Sequence, residues 1–230
     1  MRDLAQAESR RVVQQPISGL YAIAPEEPDT AELLRRVRLA LRGGVRVLQY
    51  RNKLGNTALR LEQAKALRAL TREYGVPLII NDDAALAGQV DAEGVHLGSE
   101  DGSVVAARAV LGSGKIIGVS CYNRLNLAHQ AASQGADYVA FGAFFASTTK
   151  PDAQGATLEL LRQARNEIKL PLVAIGGITI ENGASVLAAG ADALAVISAL
   201  FDAEDILSAA QRLANLNLHN QFRKTQHDFS

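Results

Sequence analysis

The sequence predicts a single (β/α)8 TIM barrel of the α/β class, and three observations predict it. Short β-branched runs alternate with Ala/Leu/Arg/Glu-rich stretches of helical period along nearly the whole chain. The short runs number eight. Many are continuously apolar, as in Leu172–Ile175 and Ala193–Ile197, which is the habit of parallel strands buried on both faces. An open doubly wound sheet would usually place a glycine-rich turn after its first strand. Here that turn is Ala24-Pro25-Glu26-Glu27-Pro28-Asp29, with no glycine.

In order, the expected strands are Gly19–Ala24, Val45–Tyr50, Pro77–Asn81, Gly94–Leu97, Lys115–Ser120, Tyr138–Gly142, Leu172–Ile175 and Ala193–Ile197. The expected helices are Thr30–Arg42, Thr57–Tyr74, Ser103–Leu111, Asn123–Gln134, Leu158–Ile168, Ile180–Ala189 and Asp205–Leu216. Asp83–Val90 is short and reads as little more than a turn of helix. Several helices close on glycine before the next strand, as at Gly43, Gly135 and Gly190, because glycine accepts the left-handed conformation that stops a helix. Gly-Ala-Asp recurs before the sixth and eighth strands, a faint echo of a repeated unit. The expected division is an extension at residues 1–18, the barrel at 19–216 and a polar, frayed tail at 217–230.

Composition narrows the function classes. The chain has 230 residues, 48% of them hydrophobic, enough for one sizeable core. Lys+Arg and Asp+Glu are both 24, so no net basic field draws nucleic acid or an anionic membrane. No apolar stretch reaches the ~20 residues that span a bilayer. The polar start shows no secretory signal, and a cytoplasmic protein is expected. The one cysteine, Cys121, reads as a small buried residue at a strand end rather than a nucleophile. A helix face rich in apolar residues leaves a homo-oligomer open.

Barrel enzymes carry their chemistry after the strands, in the βα loops. Gln49-Tyr50-Arg51-Asn52-Lys53 follows the second strand. Alternation sets Gln49, Arg51 and Lys53 on one side and Tyr50 and Asn52 on the other. A forked Arg and a point-charge Lys suit a diphosphate. Asn81-Asp82-Asp83 follows the third strand, and Gly98-Ser99-Glu100-Asp101 the fourth. Carboxylates on adjacent strand ends repel unless a cation joins them, and Mg²⁺ takes one or two carboxylates with waters and phosphate oxygens. Helix capping by Asp82 or Asp101 is the plainer alternative. Asp83 reads as a helix start and Glu100 as solvated. Ser120 ends the fifth strand, where a cap or turn hydroxyl is the alternative. His96, within the fourth, reads as a hydrogen-bonded core residue. Ser147, Thr148, Thr149 and Lys150 follow the sixth strand and suit a phosphate nest. Gly176-Gly177 and Ile197-Ser198 end the last two strands, where backbone amides bind phosphate in many barrels. Two anion sites therefore imply two phosphorylated small-molecule substrates, one a diphosphate.

These motifs, in this order from Leu20 to Phe201, resemble thiamine-phosphate synthases. The carrying segments are Gln49–Lys53, Ile80-Asn81-Asp82, Gly94–Gly98 with Asp101, Ile117–Ser120, Ser147–Lys150, Ala174–Ile178 and Ala195–Ala199. The resemblance implies a TIM-barrel transferase that condenses an aminopyrimidine diphosphate with a thiazole phosphate. Gln49, Tyr50, Arg51, Asn52, Lys53, Asn81, Ser120 and Lys150 would hold the pyrimidine diphosphate. Of these, Arg51, Lys53, Ser120 and Lys150 would act in catalysis. Asp82 and Asp101 would hold one Mg²⁺ per subunit, and Ser147, Thr148, Thr149, Gly177, Ile197 and Ser198 the thiazole phosphate. The implied chemistry is dissociative, through a pyrimidinylmethyl cation. The chain departs from the family's usual pattern at Ser99 (usually Gln), Ala146 (Pro), Ser147 (Thr) and Tyr122 (often His). A thiazole tautomerase of related fold leans on that His and tends to lack the metal carboxylates. It stays an alternative, as does a non-catalytic barrel that binds thiazole or thiamine phosphates.

Overall fold

The computed structural model describes residues 17–99, 101–145 and 155–227, with 217–227 as backbone only. The strands are β1 Gly19–Ile23, β2 Val45–Tyr50, β3 Leu78–Asn81, β4 Gly94–Leu97, β5 Ile116–Tyr122, β6 Tyr138–Phe141, β7 Leu172–Ile175 and β8 Ala193–Val196. The helices are α1 Thr30–Arg42, α2 Thr57–Glu73, α3 Ala84–Gln89, α4 Val104–Leu111, α5 Leu125–Ser133, α6 Leu158–Glu167, α7 Ile180–Ala188, α8 Ser198–Phe201 and α9 Ile206–His227. Neighbouring strands pair in parallel from β1 to β8, and β8 pairs with β1, so the barrel is closed. Closure leaves no unpaired sheet edge.

Side-chain alternation along the strands separates two cores. Tyr21, Ile23, Val47, Ile79, Tyr138, Ala140, Val173, Ala193 and Ala195 fill the lumen. Their strand neighbours, among them Leu20, Ala22, Leu48, Leu78, Ile80 and Leu194, face outward onto Leu33, Val37, Leu67, Leu161 and Val186 of the helices. Truncating one of these fully buried leucines to Ala costs about 2–5 kcal/mol. Ile17, which the sequence assigns to the extension, is buried with the lumen residues.

The Gly-Ala-Asp echo is a structural clamp. Asp137 accepts the Ile117 amide at 2.7 Å and pairs with Arg108 of α4 at 2.7 Å. Asp192 accepts the Leu172 amide at 2.8 Å and pairs with Arg165 of α6 at 2.6 Å. Glu93 repeats the device: it accepts the Leu78 amide at 2.9 Å and pairs with Arg68 of α2 at 2.8 Å. In each case an acid just before an even-numbered strand ties the start of the preceding strand to an arginine of the preceding even-numbered helix. A strand-start amide that points out of the ladder is thereby satisfied by a charge-assisted bond.

Most expected boundaries hold within two residues. Asp83 caps α3 by accepting the Leu86 amide, so this segment is a true short helix. β5 runs on to Tyr122, and α9 continues helical past Leu216 to His227. Among the described residues no helix is long and apolar enough to cross a membrane.

Candidate active site

The C-terminal ends of β2, β3, β4 and β5 gather most of the polar side chains singled out in the sequence. Gln49 is 4% exposed and points into the lumen, where its Nε2 donates to Tyr21 Oη at 2.9 Å. Beyond it the chain leaves the barrel. Arg51 meets Glu26 at 3.1 Å, and the Lys53 amide donates to the same Glu26 oxygen at 3.3 Å. The Lys53 ammonium lies 3.7 Å from Asp82. Both cations thus stand at the mouth, each leaning on a carboxylate. Glu26, from the loop after β1, did not stand out in the sequence because its charge role appears only when the barrel brings that loop beside β2.

Tyr50 and Asn52 lie on the opposite side, as alternation requires. Tyr50 Oη donates to Gln63 of α2 at 2.8 Å, and Asn52 donates to the same Gln63 oxygen at 3.1 Å. Asn52 also accepts the Gly55 amide at 2.7 Å, which shapes the turn into α2. Together with Lys53, Arg60, Asn81, Asp82 and Leu86 they line a cavity of about 280 Å³.

Asp82 and Asp101 are not helix caps: Asp83 caps α3 and Ser103 caps α4. Asp82 adopts φ 66°, a left-handed conformation that Asp tolerates better than most residues, and its amide donates to the His96 carbonyl at 2.8 Å. Its carboxyl is close enough to that of Asp101 for the two to act on one another. Burial, then the Asp101 carboxyl, push Asp82 above the ordinary carboxylate range, against the opposing pull of Lys53 and Arg51. Asp101 accepts the Gly98 amide at 2.9 Å, and a Cβ on Gly98 would come within 2.6 Å of that carboxylate. Glycine there lets the carboxylate reach that amide without having to shift. Among the described residues no three His, Cys, Asp or Glu side chains gather into an all-protein metal cage. Two adjacent carboxylates with a deficit of positive charge do suit a hard divalent cation that takes its remaining oxygens from water and phosphate.

Ser120 lies inside β5 and is neither a cap nor a turn residue. Its Oγ is 2.8 Å from His96 Nε2. His96 Nδ1 is 2.9 Å from Tyr138 Oη, and Tyr138 Oη is 2.9 Å from Tyr21 Oη. His96 is a hydrogen-bonded core residue, as expected. Burial lowers its pKa to about 4, so the ring is neutral near neutral pH. Tyr21 and Tyr138 are functional candidates that the sequence reading missed. The available signal was a polar-tipped aromatic inside a buried strand, which must find a partner. Gly118 makes room for Tyr138: a Cβ there would stand 1.9 Å from its ring.

Two positions that depart from the usual family pattern meet one another. Tyr122 Oη lies 3.1 Å from Ser99 Oγ and accepts the Ser99 amide at 3.3 Å, bracing the loop that carries Asp101. Cys121 is buried and its thiol is pushed up to about 12 by burial, the opposite of an activated nucleophile.

At the other side of the mouth, Phe144 and Phe145 amides donate to Ile175 and Gly176 carbonyls at 3.2 and 3.1 Å. Gly177 has φ 63°, and a Cβ there would meet Phe145 at 2.8 Å. Its glycine is thus required by packing within the chain as well as by any close anion. Asn182 Nδ2 donates to the Gly177 carbonyl at 2.9 Å. Ile197 is 40% exposed and gives α8 no side-chain cap, so the exposed Ser198 opens that helix uncapped. Ser147, Thr148, Thr149 and Lys150 lie outside the described residues, as do Ala146 and Glu100.

Comparisons with known proteins identify the family. The family model for thiamine monophosphate synthase matches residues 20–200. A thiamine-phosphate synthase of Methylobacillus flagellatus is 56% identical over 201 residues, covering 87% of this chain and 96% of that protein. One from Nitrosospira multiformis is 49% identical over 225 residues, covering 96% of each. The solved thiamine phosphate pyrophosphorylase of Pyrococcus furiosus superposes with a TM-score of 0.80 at 38% identity, covering 88% of this chain and 96% of that one. A closed parallel barrel with this mouth, matched by that family model over most of its length, belongs to the thiamine monophosphate synthase family.

Proposed function

We propose that this barrel condenses 4-amino-2-methyl-5-pyrimidinylmethyl diphosphate with 4-methyl-5-(2-phosphoethyl)thiazole, releasing thiamine phosphate and diphosphate. The enzyme is a transferase of thiamine phosphate synthesis. The observation that carries the detailed reading is the charge cluster at the mouth: Asp82 against Asp101, with Lys53 and Arg51 beside them. Two carboxylates held that close call for a cation, and two further cations beside them call for an anion.

Asp82 and Asp101 would hold Mg²⁺, which when bound neutralises charge on the diphosphate oxygens. The remaining work belongs to the chain's own residues. The bond between the pyrimidinylmethyl carbon and the diphosphate oxygen breaks, and the electron pair leaves with the oxygen. Arg51 and Lys53, released from Glu26 and Asp82, meet that growing negative charge with fixed positive charge. Lys150 has the same role in this reading. The ring's 4-amino group stabilises the cation left behind, and the thiazole nitrogen lone pair then forms the new C–N bond. No side chain need become covalently attached. Gln49, Asn81 and Ser120 orient the pyrimidine, with Tyr50 and Asn52 fixing the loop. Ser147, Thr148, Thr149, Gly177, Ile197 and Ser198 seat the thiazole phosphate, and the alignment of the two rings supplies the rest of the acceleration. Residues 19–216 form the catalytic barrel, working in the cytoplasm, where the lone Cys121 stays reduced.

Mixing the purified protein with both substrates and Mg²⁺, and following thiamine phosphate as its fluorescent oxidation product, tests this. Metal-dependent product is expected. Both ligands binding without product would instead leave a phosphate-binding barrel or an isomerase of the thiazole.

A further inference from the structure

The loop after β1, Ala24-Pro25-Glu26-Glu27-Pro28-Asp29, brings an acid to the cations of the mouth. Its backbone is tied at three points. The Ala24 amide donates to the Gln49 carbonyl at 2.8 Å, Gln63 Nε2 donates to the Glu27 carbonyl at 2.7 Å, and Asp29 caps α1. Pro25 and Pro28 restrict two of its φ angles. The two glutamate side chains then part. Glu27 turns to Arg36 of α1, 3.6 Å away, and accepts the Asp29 amide at 3.1 Å. Glu26 turns to the mouth. There one oxygen, Oε1, takes both Arg51 Nη1 at 3.1 Å and the Lys53 amide at 3.3 Å.

An acid that serves to orient an arginine grips it by short, forked contacts, as Glu32 grips Arg35 at 2.7 and 2.8 Å. Glu26 instead reaches Arg51 through a single guanidinium nitrogen and covers a backbone amide besides. Both contacts are longer than the about 2.7–2.9 Å of a strong charge-assisted bond. A guanidinium N–H and a backbone N–H that converge on one anionic oxygen make a seat that an oxygen of a phosphoryl group fits equally well. The Glu26 side chain is 28% exposed and that of Arg51 37%, so the carboxylate can turn out to water while the tied backbone stays in place. A phosphoryl oxygen and the Glu26 carboxylate cannot share this seat, because they need the same donors and carry like charge.

We propose that Glu26 is an internal competitor for the diphosphate. Its carboxylate occupies the seat between Arg51 and Lys53 in the unliganded site and takes it back as diphosphate leaves. The inference rests on the reading of Arg51 and Lys53 as diphosphate-binding residues. The competition weakens every anion that needs this seat by the same factor. The substrate has its pyrimidine contacts to offset that loss, whereas the free diphosphate product has none. Glu26 thereby keeps the leaving group from holding the site after the new C–N bond has formed.

Calorimetric titration with inorganic diphosphate in saturating Mg²⁺ tests this on wild type, Glu26→Gln, Glu26→Ala and Glu27→Gln. Glu26→Gln keeps the shape of the side chain and removes its charge, and Glu26→Ala removes the contact altogether. Both are expected to bind diphosphate about 10-fold more tightly than wild type, the worth of one charge-assisted hydrogen bond. A gain in affinity is a result that mere damage to the site does not give. Glu27→Gln changes the net charge equally one residue away. It should stay within about 2-fold of wild type, because its carboxylate is paired with Arg36. Affinity unchanged or lowered in either Glu26 variant overturns the competition and leaves Glu26 an orienting residue for Arg51. An equal gain in Glu27→Gln overturns it too, since net charge alone would then account for the effect. Absence of diphosphate binding in wild type and both Glu26 variants would remove the reading of Arg51 and Lys53 itself.

Discussion

The two ends of the barrel handle charge in opposite ways. At the end where the strands begin, every acid of the repeated clamp has its arginine and its backbone amide: Glu93 with Arg68, Asp137 with Arg108 and Asp192 with Arg165. At the end where they finish, Asp82 faces Asp101, and the nearby cations are borrowed from one carboxylate to the next. Left-handed backbone does not separate the ends: Asp82 and Tyr122 adopt it at the mouth, and Asp91 adopts it where β4 begins. One end is satisfied within the chain. The other is left with demands that a ligand would meet. Stability and chemistry are thus divided along the barrel axis, as the fold permits.

The sharpest way to break this comparison is at the mouth. Asp101→Ala should lower Mg²⁺-dependent turnover on the order of 10³-fold, the loss expected when a metal's several kcal/mol of charge stabilisation goes. Binding of thiazole phosphate, followed by calorimetry, should change little. Equal losses in both would remove the metal role from Asp101.

At the clamped end the effect should fall on stability. Asp137→Ala strands the Ile117 amide and the Arg108 guanidinium. It should cost about 2 kcal/mol in denaturant unfolding while the folded fraction keeps its activity.

A third variant separates the two kinds of demand at one residue. The folded-state pKa of Asp82 is raised above its ordinary 3.8. The native state therefore holds a proton that the unfolded chain has released, so stability falls as pH rises through the window above 3.8 and stays lower beyond it. Asp82→Asn removes that loss and keeps a residue type that tolerates positive φ. In the absence of metal its Tm at neutral pH should exceed that of wild type. The gain should shrink as pH is lowered toward 3.8, and turnover should be lost. A lower Tm at neutral pH would show that the carboxylate pair stabilises the fold.

Much of this division was legible in the sequence. The strands were readable because buried parallel strands are short and apolar, and the helices because their period and glycine stops are local. Gln49, Asp82, Asp101 and Ser120 were readable because polar groups at strand ends must have a reason to be there. The clamps were visible only as an echo. Asp137 and Arg108 are 29 residues apart, and Asp192 and Arg165 are 27 apart, so their pairing is a property of the closed barrel. Tyr21 and Tyr138 lie 117 residues apart, and only closure brings their hydroxyls together. Glu26 was obscured for a related reason: a solvated loop acid and a partner for Arg51 look alike in one dimension.

The smallest expected effect concerns Cys121. Its burial and raised pKa leave it out of the chemistry, so Cys121→Ser should keep kcat within about 2-fold of wild type. A loss on the order of 100-fold, roughly what one catalytic group contributes, would place the thiol in the mechanism.

The division between the two ends is tested most directly by measuring kcat and Tm side by side for Asp101→Asn and Asp192→Ala. Asp101→Asn is expected to lose turnover on the order of 10³-fold with Tm unchanged or raised. Asp192→Ala is expected to keep turnover within about 2-fold but to lose roughly 4–8 °C in Tm, the equivalent of about 2 kcal/mol. Loss of both quantities together in either variant would contradict it.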